Sequence, residues 1–248
     1  MDRLVYTALS GLKGQMAAQA SIANNIANAS TTGYRADRVA FQQMVLKGGA
    51  LEARAPASEQ VLDADRRAGA VQSTGRPLDI AIHGDAWMAV QATDGTEAYT
   101  RRGDLNIADT GVLETGDGFP VIGSGGPITV PPADKVMIGE DGTISIIPQG
   151  AQPGAEPQEI DRIRLVSSQG TKTAKGMDNL LRVVGGGVLP DDQTAKVQAG
   201  ALEGSNVNMT EALVAMIENQ RSYEVQANLL KEARKMDESS AALMRVQG

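Results

Sequence analysis

The chain has 248 residues, of which 42% are hydrophobic and 21% charged. That is long and apolar enough to bury a core, so wholesale disorder is excluded. It has no cysteine and a single histidine, His83, which excludes disulfides, thiol nucleophiles, cysteine-based zinc and multi-histidine metal sites. The net charge of -7 disfavours sequence-independent binding to nucleic acid.

Aromatic residues make up only 3% of the chain, so a core must rest on Ala, Val, Ile, Leu and Met. No apolar run is long enough to insert in a membrane as a helix. The N-terminus, with Asp2, Arg3 and Lys13, does not read as a secretory signal.

From Asp2 to about Ala29 the pattern predicts a helix with a heptad-like seam at Val5, Leu9, Leu12, Met16, Ala23 and Ile26, with Gln19 in the remaining slot. Asn28 to Gly33 should end it, Gly33 taking a left-handed cap. Tyr34 to Arg76 is a mixed connector. From about Pro77 to Gln198 short β-rich runs alternate with Gly and Asp turn signals. The candidate strands are Asp79–Ile82, Trp87–Gln91, Glu97–Arg101, Leu105–Ile107, Val112–Leu113, Pro120–Ile122, Val136–Ile138, Thr143–Ile147, Ile160–Val166 and Leu180–Val184. Pro148 to Pro157 reads as a surface loop. A last helix should start near Met209, capped by Asn208 or Thr210, with Glu211 in its first turn. Its seam runs Met209, Leu213, Met216, Gln220, Tyr223, Ala227, Leu230. The two helices would be roughly 40 Å and 55 Å long.

The expected fold is therefore α+β. Long terminal helices, residues 1–33 and 199–248, pair as a coiled-coil layer. A connector at 34–76 leads to an all-β domain at 77–198. A long helix with one narrow apolar seam cannot bury it against itself. Each terminal helix also carries apolar residues off the seam, at Ile22, Val214, Ile217, Val225 and Leu229. The termini are thus expected to be poorly ordered in the free monomer and to fold against other subunits. The expected assembly interface comprises Val5, Leu9, Leu12, Met16, Ala23 and Ile26 with Asn24, Asn25 and Asn28, and, from the C-terminal helix, Leu213, Met216, Ile217, Gln220, Tyr223, Ala227 and Leu230. The Asn cluster reads equally as a helix-end cap or as amides fixing register between helices.

The run Ser21-Ile22-Ala23-Asn24-Asn25-Ile26-Ala27-Asn28, continuing to Gly33-Tyr34-Arg35, resembles the N-terminal signature of bacterial flagellar rod and hook proteins. Gly75-Arg76-Pro77-Leu78-Asp79, Tyr99-Thr100-Arg101-Arg102-Gly103-Asp104-Leu105, Gly204-Ser205-Asn206-Val207-Asn208 and Arg221-Ser222-Tyr223-Glu224 are similar to further stretches of that family. Ala86 and Leu105, where relatives often carry Gly and Phe, are small departures. The opening residues, Trp87 and the length look most like a proximal rod member, with distal rod or hook members as the alternative. The resemblance implies a structural subunit of the basal-body rod, the shaft crossing the periplasm. It implies partners among copies of the chain and related rod proteins, and export through the flagellar type III apparatus. It implies no enzyme activity and no cofactor.

Other signals read blandly. His83, at a strand end, is a structural or surface residue. Arg101-Arg102 is a solvated turn or an inter-subunit pair in preference to an anion site. Gly123-Ser124-Gly125-Gly126 and Gly185-Gly186-Gly187 match no nucleotide-binding pattern, and no carboxylate pair is singled out for glycoside hydrolysis. The alternative from another class, an extracellular carbohydrate-binding β-domain, would need an aromatic-rich groove, against which the aromatic content argues.

Overall fold

The computed structural model describes residues 2–43, 57–152 and 154–246. The chain divides into two compact units, one drawn from Met1–Ala27, Asp37–Leu62 and Asn208–Gly248, the other from Asn28–Ala36 and Asp63–Val207.

The first unit holds helix α1 (Asp2–Ala27), a two-stranded sheet of β1 (Asp37–Gln43) and β2 (Ala57–Ala64), and a terminal helix α2 (Met209–Val246). The sheet lies in what reads from sequence as connector. Asn208 caps α2: its Oδ1 accepts the amides of Thr210 at 3.0 Å and Glu211 at 3.4 Å, leaving fewer first-turn donors unsatisfied. α1 ends two residues short of expectation, at Ala27, because Asn28 opens a turn: the Thr31 amide donates to the Asn28 carbonyl at 3.1 Å and the Thr31 hydroxyl to Asn28 Oδ1 at 3.1 Å.

The second unit is built of short strands: β3 (Val71–Ser73), β4 (Ile80–Ile82), β5 (Ala86–Gln91), β6 (Glu97–Thr100), β7 (Leu105–Ile107), β8 (Leu113–Thr115), β9 (Ala133–Ile138), β10 (Thr143–Pro148), β11 (Gln158–Arg162), β12 (Leu165–Ser167), β13 (Thr173–Lys175), β14 (Leu181–Val183), β15 (Val197–Ala199) and β16 (Ala201–Glu203). The largest sheet has the order β12-β5-β6-β14-β13, and a second the order β11-β10-β9. Three ribbons pair β15 with β4, β16 with β3, and β7 with β8. The expected single strand Ile160–Val166 is two strands in different sheets. Between them the Ile163 amide donates to the Gly142 carbonyl at 2.9 Å and the Arg164 amide to the Ile122 carbonyl at 3.0 Å. Alternation of apolar residues does not show that successive amides turn to different neighbours. Pro120–Ile122 forms only isolated bridges, among them Val90 to Val121.

β5 explains where the core sits. Ala86, Met88 and Val90 point into the main cluster with Ile80, Leu105, Leu113, Val121, Ile144 and Ile163. Trp87 and Ala89 point the other way, to Tyr99, Val166, Leu181 and Leu189. Both faces are covered, which is why the strand reads as an unbroken apolar run. The larger cluster contains no buried aromatic residue, as the composition requires.

Tyr99 is fully buried. Its hydroxyl donates to Glu97 Oε1 at 2.8 Å and accepts the Leu189 amide at 2.7 Å. Burial pushes its pKa up to about 12. A raised folded-state pKa means that stability is fully present below the ordinary value near 10 and is lost as pH climbs toward about 12. In an ultraviolet phenolate titration, one of the four tyrosines should lag to that upper range. Tyr99→Phe should remove the lagging signal and, by leaving the Leu189 amide without an acceptor, cost about 1–3 kcal/mol.

A buried ionic centre ties together distant parts of this unit. Glu203, 1% exposed, accepts Arg35 Nη2 at Oε1 and Arg101 Nε at Oε2, both at 2.7 Å, and the Gly69 amide at Oε1 at 2.8 Å. Arg101 also donates Nη1 to the carbonyls of Gly84 at 2.8 Å and Ala86 at 2.6 Å, and Nη2 to that of Ile82. This corrects the reading of Arg101 as a solvated turn: the buried planar guanidinium fork satisfies three carbonyls where β4 ends and β5 begins. Arg102 instead pairs at the surface with Asp104 and Asp117. Gly33 has the expected positive φ, +67, but it lies six residues past the end of α1 and donates its amide to the Glu203 carbonyl at 2.7 Å, so it turns the chain and does not cap the helix; a Cβ there would overlap the Arg101 backbone.

Candidate assembly interface

α1 and α2 meet through small and polar side chains rather than through the apolar seam. Among the described side chains of α1 the buried positions are Gly14, Gln15, Ala18 and Ser21. Gln15 Nε2 donates to Ser222 Oγ at 2.7 Å. Asn219 Nδ2 donates to the Gln15 carbonyl at 3.0 Å and to Gln19 Oε1 at 2.8 Å. Gly11 faces the amide of Gln226, and a Cβ at Gly11 would stand 3.1 Å from its Oε1. Small residues allow this close approach, and a polar bond inside the contact penalises shifts of register. The signal was present as Gly11, Gln15, Ala18 and Ile22 at helical spacing. Hydropathy does not flag it, because Gly, Ser and Gln score as solvent-facing.

The expected interface residues fall into distinct environments. Leu9 (45% exposed) and Met16 (60%) on α1 face solvent, as do Leu213 (46%), Ile217 (53%) and Tyr223 (38%) on α2. Ala23, Asn24 and Gln220 are exposed as well, and Leu12, Asn25, Ile26, Asn28, Met216, Ala227 and Leu230 are half-buried. Val5 lies in α1, but its side chain is outside the described residues. Off the seam, Val214, Val225, Leu229 and Met236 are exposed by half or more.

The asparagines bond to the segment that follows α1. Asn24 Nδ2 donates to Asp37 Oδ2 at 2.8 Å. Asn25 closes a two-way pair with the Asp37 backbone, donating to its carbonyl at 3.0 Å and accepting its amide at 2.7 Å. Gln220 Nε2 reaches Glu224 Oε1 at 3.5 Å within α2.

Among the described residues no group of three or more His, Asp or Glu is arranged to hold a metal ion, and no helix is long and apolar enough to cross a membrane. His83 is exposed, and Trp87 and Tyr99 are buried, so neither ring offers a platform for a sugar.

Three family models match the chain. "Flagella basal body rod protein" covers residues 5–35, "Flagellar hook protein FlgE/F/G D1 domain" residues 81–146, and "Flagellar basal body rod FlgEFG protein C-terminal" residues 198–243. The chain is 39% identical over 236 residues to the flagellar basal-body rod protein FlgF of Salmonella typhimurium and, equally, to that of Escherichia coli, in each case over 93% of both chains. It is 33% identical over 261 residues to the rod protein FlgG of Bacillus subtilis, covering 93% of this chain and 94% of that one. With small-residue helices at both ends, an intervening β-unit and this likeness along nearly its whole length, the chain belongs to the flagellar basal-body rod protein family and is most like FlgF.

Proposed function

We propose that α1 and α2 form a coiled-coil layer through which this chain packs against copies of itself and related rod proteins. As a member of a structural family it is a subunit of the basal-body rod and not an enzyme. The observation that carries the finer reading is the apolar surface left after the two helices have met: Leu9, Met16, Leu213, Val214, Ile217 and Leu229 are all 45% exposed or more. Fully burying one such side chain is worth about 1.5–3 kcal/mol. Several neighbours per subunit would therefore supply the association energy that one helix pair cannot. Export through the flagellar type III apparatus belongs to this reading, since the shaft lies beyond the cytoplasmic membrane.

Hydrogen exchange on dilute monomer and on assembled rods tests it. Amides of α1 and α2 are expected to exchange fast in the monomer and to be protected in the assembly, and protease should remove α1 and α2 from the monomer while sparing the span 63–207. Full protection of either helix in the solitary chain would refute the proposal.

A further inference from the structure

The chain passes between its two units four times, after Ala27, Ala36, Leu62 and Val207. Within the second unit these passages are fastened to one another, and Asn206 makes four of the bonds. Its amide donates to the Tyr34 carbonyl at 3.3 Å, its Oδ1 accepts the Ala36 amide at 2.8 Å, and its Nδ2 donates to the carbonyls of Asp65 at 3.0 Å and Arg67 at 2.8 Å. Asp65 shapes the loop that Nδ2 meets: its carboxylate accepts the Arg67 amide at 3.1 Å and Arg67 Nε at 2.9 Å. Around Asn206 the Asp65 amide donates to the Ala36 carbonyl at 2.7 Å, the Gly33 amide to the Glu203 carbonyl at 2.7 Å and the Gly204 amide to the Ala70 carbonyl at 2.8 Å. Each passage is thereby held within six residues of the point where it enters the second unit.

The chemistry of the side chain explains why an asparagine stands there. A short planar amide offers two donors and an acceptor at once, and all three are used. An aspartate would keep the acceptor for Ala36 and lose both donors. Asn206 is half-buried, so water can replace the bonds it would lose, and the apolar core does not depend on it. Bonds that lie side by side share an applied force, whereas bonds opened one after another each bear all of it. We propose that Asn206 is a positioning residue of the rod, fastening the chain passages so that force on the terminal helices reaches the second unit through several bonds loaded together. This rests on the reading of the chain as a rod subunit, because a rotating shaft is where such force arises.

Hydrogen exchange on the full chain as a monomer separates this role from an ordinary one. In Asn206→Ala the Ala36 amide loses its acceptor directly, so the informative amides are those of Gly33, Asp65 and Gly204, whose acceptors are other groups. They are expected to exchange together about tenfold faster or more, while the core amides of Leu113, Val121 and Ile128 keep their rates. Asn206→Asp, which retains the acceptor for Ala36, should give the same pattern. A change confined to Ala36 overturns the proposal, because the bonds then do not act as a unit. Equal acceleration of the core amides overturns it too, since Asn206 would then support the fold at large. The second measurement is the swimming of a deletion strain complemented with Asn206→Ala, in dilute and in viscous medium. Near-normal speed in dilute medium and a marked loss in viscous medium, where the torque on the shaft is greatest, is the expected result. Equal loss in both media, or loss in neither, overturns the mechanical role. If the chain were no rod subunit, the exchange pattern would stand while the uncomplemented deletion strain swam, so the failure of that reading is recognisable by itself.

Discussion

Glu203→Gln is expected to destabilise the second unit by about 3–5 kcal/mol, the usual cost of removing one member of a buried ionic group. The substitution keeps the shape and takes away the charge. Two guanidinium groups, each 2% exposed at the side chain, would then face one another with a neutral amide between them. The amide can accept at its oxygen but presents a donor where the second arginine also donates. Trp87, the single tryptophan, is buried in the same unit, so its fluorescence reports denaturant unfolding of that unit. A shift below about 1 kcal/mol, the range of exposed ion pairs, would show that the centre contributes little to the fold.

Leu213→Asp should abolish rod assembly and motility while leaving the Trp87-monitored melt unchanged, and Leu9→Asp should do the same. Both side chains are roughly half exposed, at 46% and 45%, so a carboxylate costs the isolated chain little. In a packed tube that carboxylate would be desolvated without a partner, at a cost of several kcal/mol for each subunit. Swimming of a complemented deletion strain, together with isolation of basal bodies, gives the readout. Motile cells carrying Leu213→Asp would remove that position from the interface. A melt shifted strongly downward would place it in a folded core instead.

The contrast between these two sites shows how far patterning along the chain reaches. The start of α2 and the left-handed turn after α1 were legible: Asn208 caps α2 and Gly33 takes its positive φ, because caps and left-handed turns are set by residues a few positions apart. β5 and β6 were legible for the same reason, as short apolar runs flanked by turn residues. The family was legible too, since the motif from Ser21 to Arg35 is long and contiguous. Less visible were β13, β15 and β16, each three residues long and partly polar. Such short strands exist because a neighbour pairs with them.

The face by which α1 meets α2 was hidden as well. Hydropathy points to Leu9 and Met16, whereas the contact runs through Gln15, Asn219 and Ser222, which join residues more than 200 positions apart. Arg101 looked like half of an exposed basic pair and is instead a buried hub whose carboxylate partner lies 102 positions away, with Arg35 reaching the same group across 168. Capping, alternation and family motifs act over a few neighbouring residues and can be read along the chain. Which charges are withdrawn from water, and which helix face is left bare, depends on partners that come together only when the chain closes, so those features emerged with the fold.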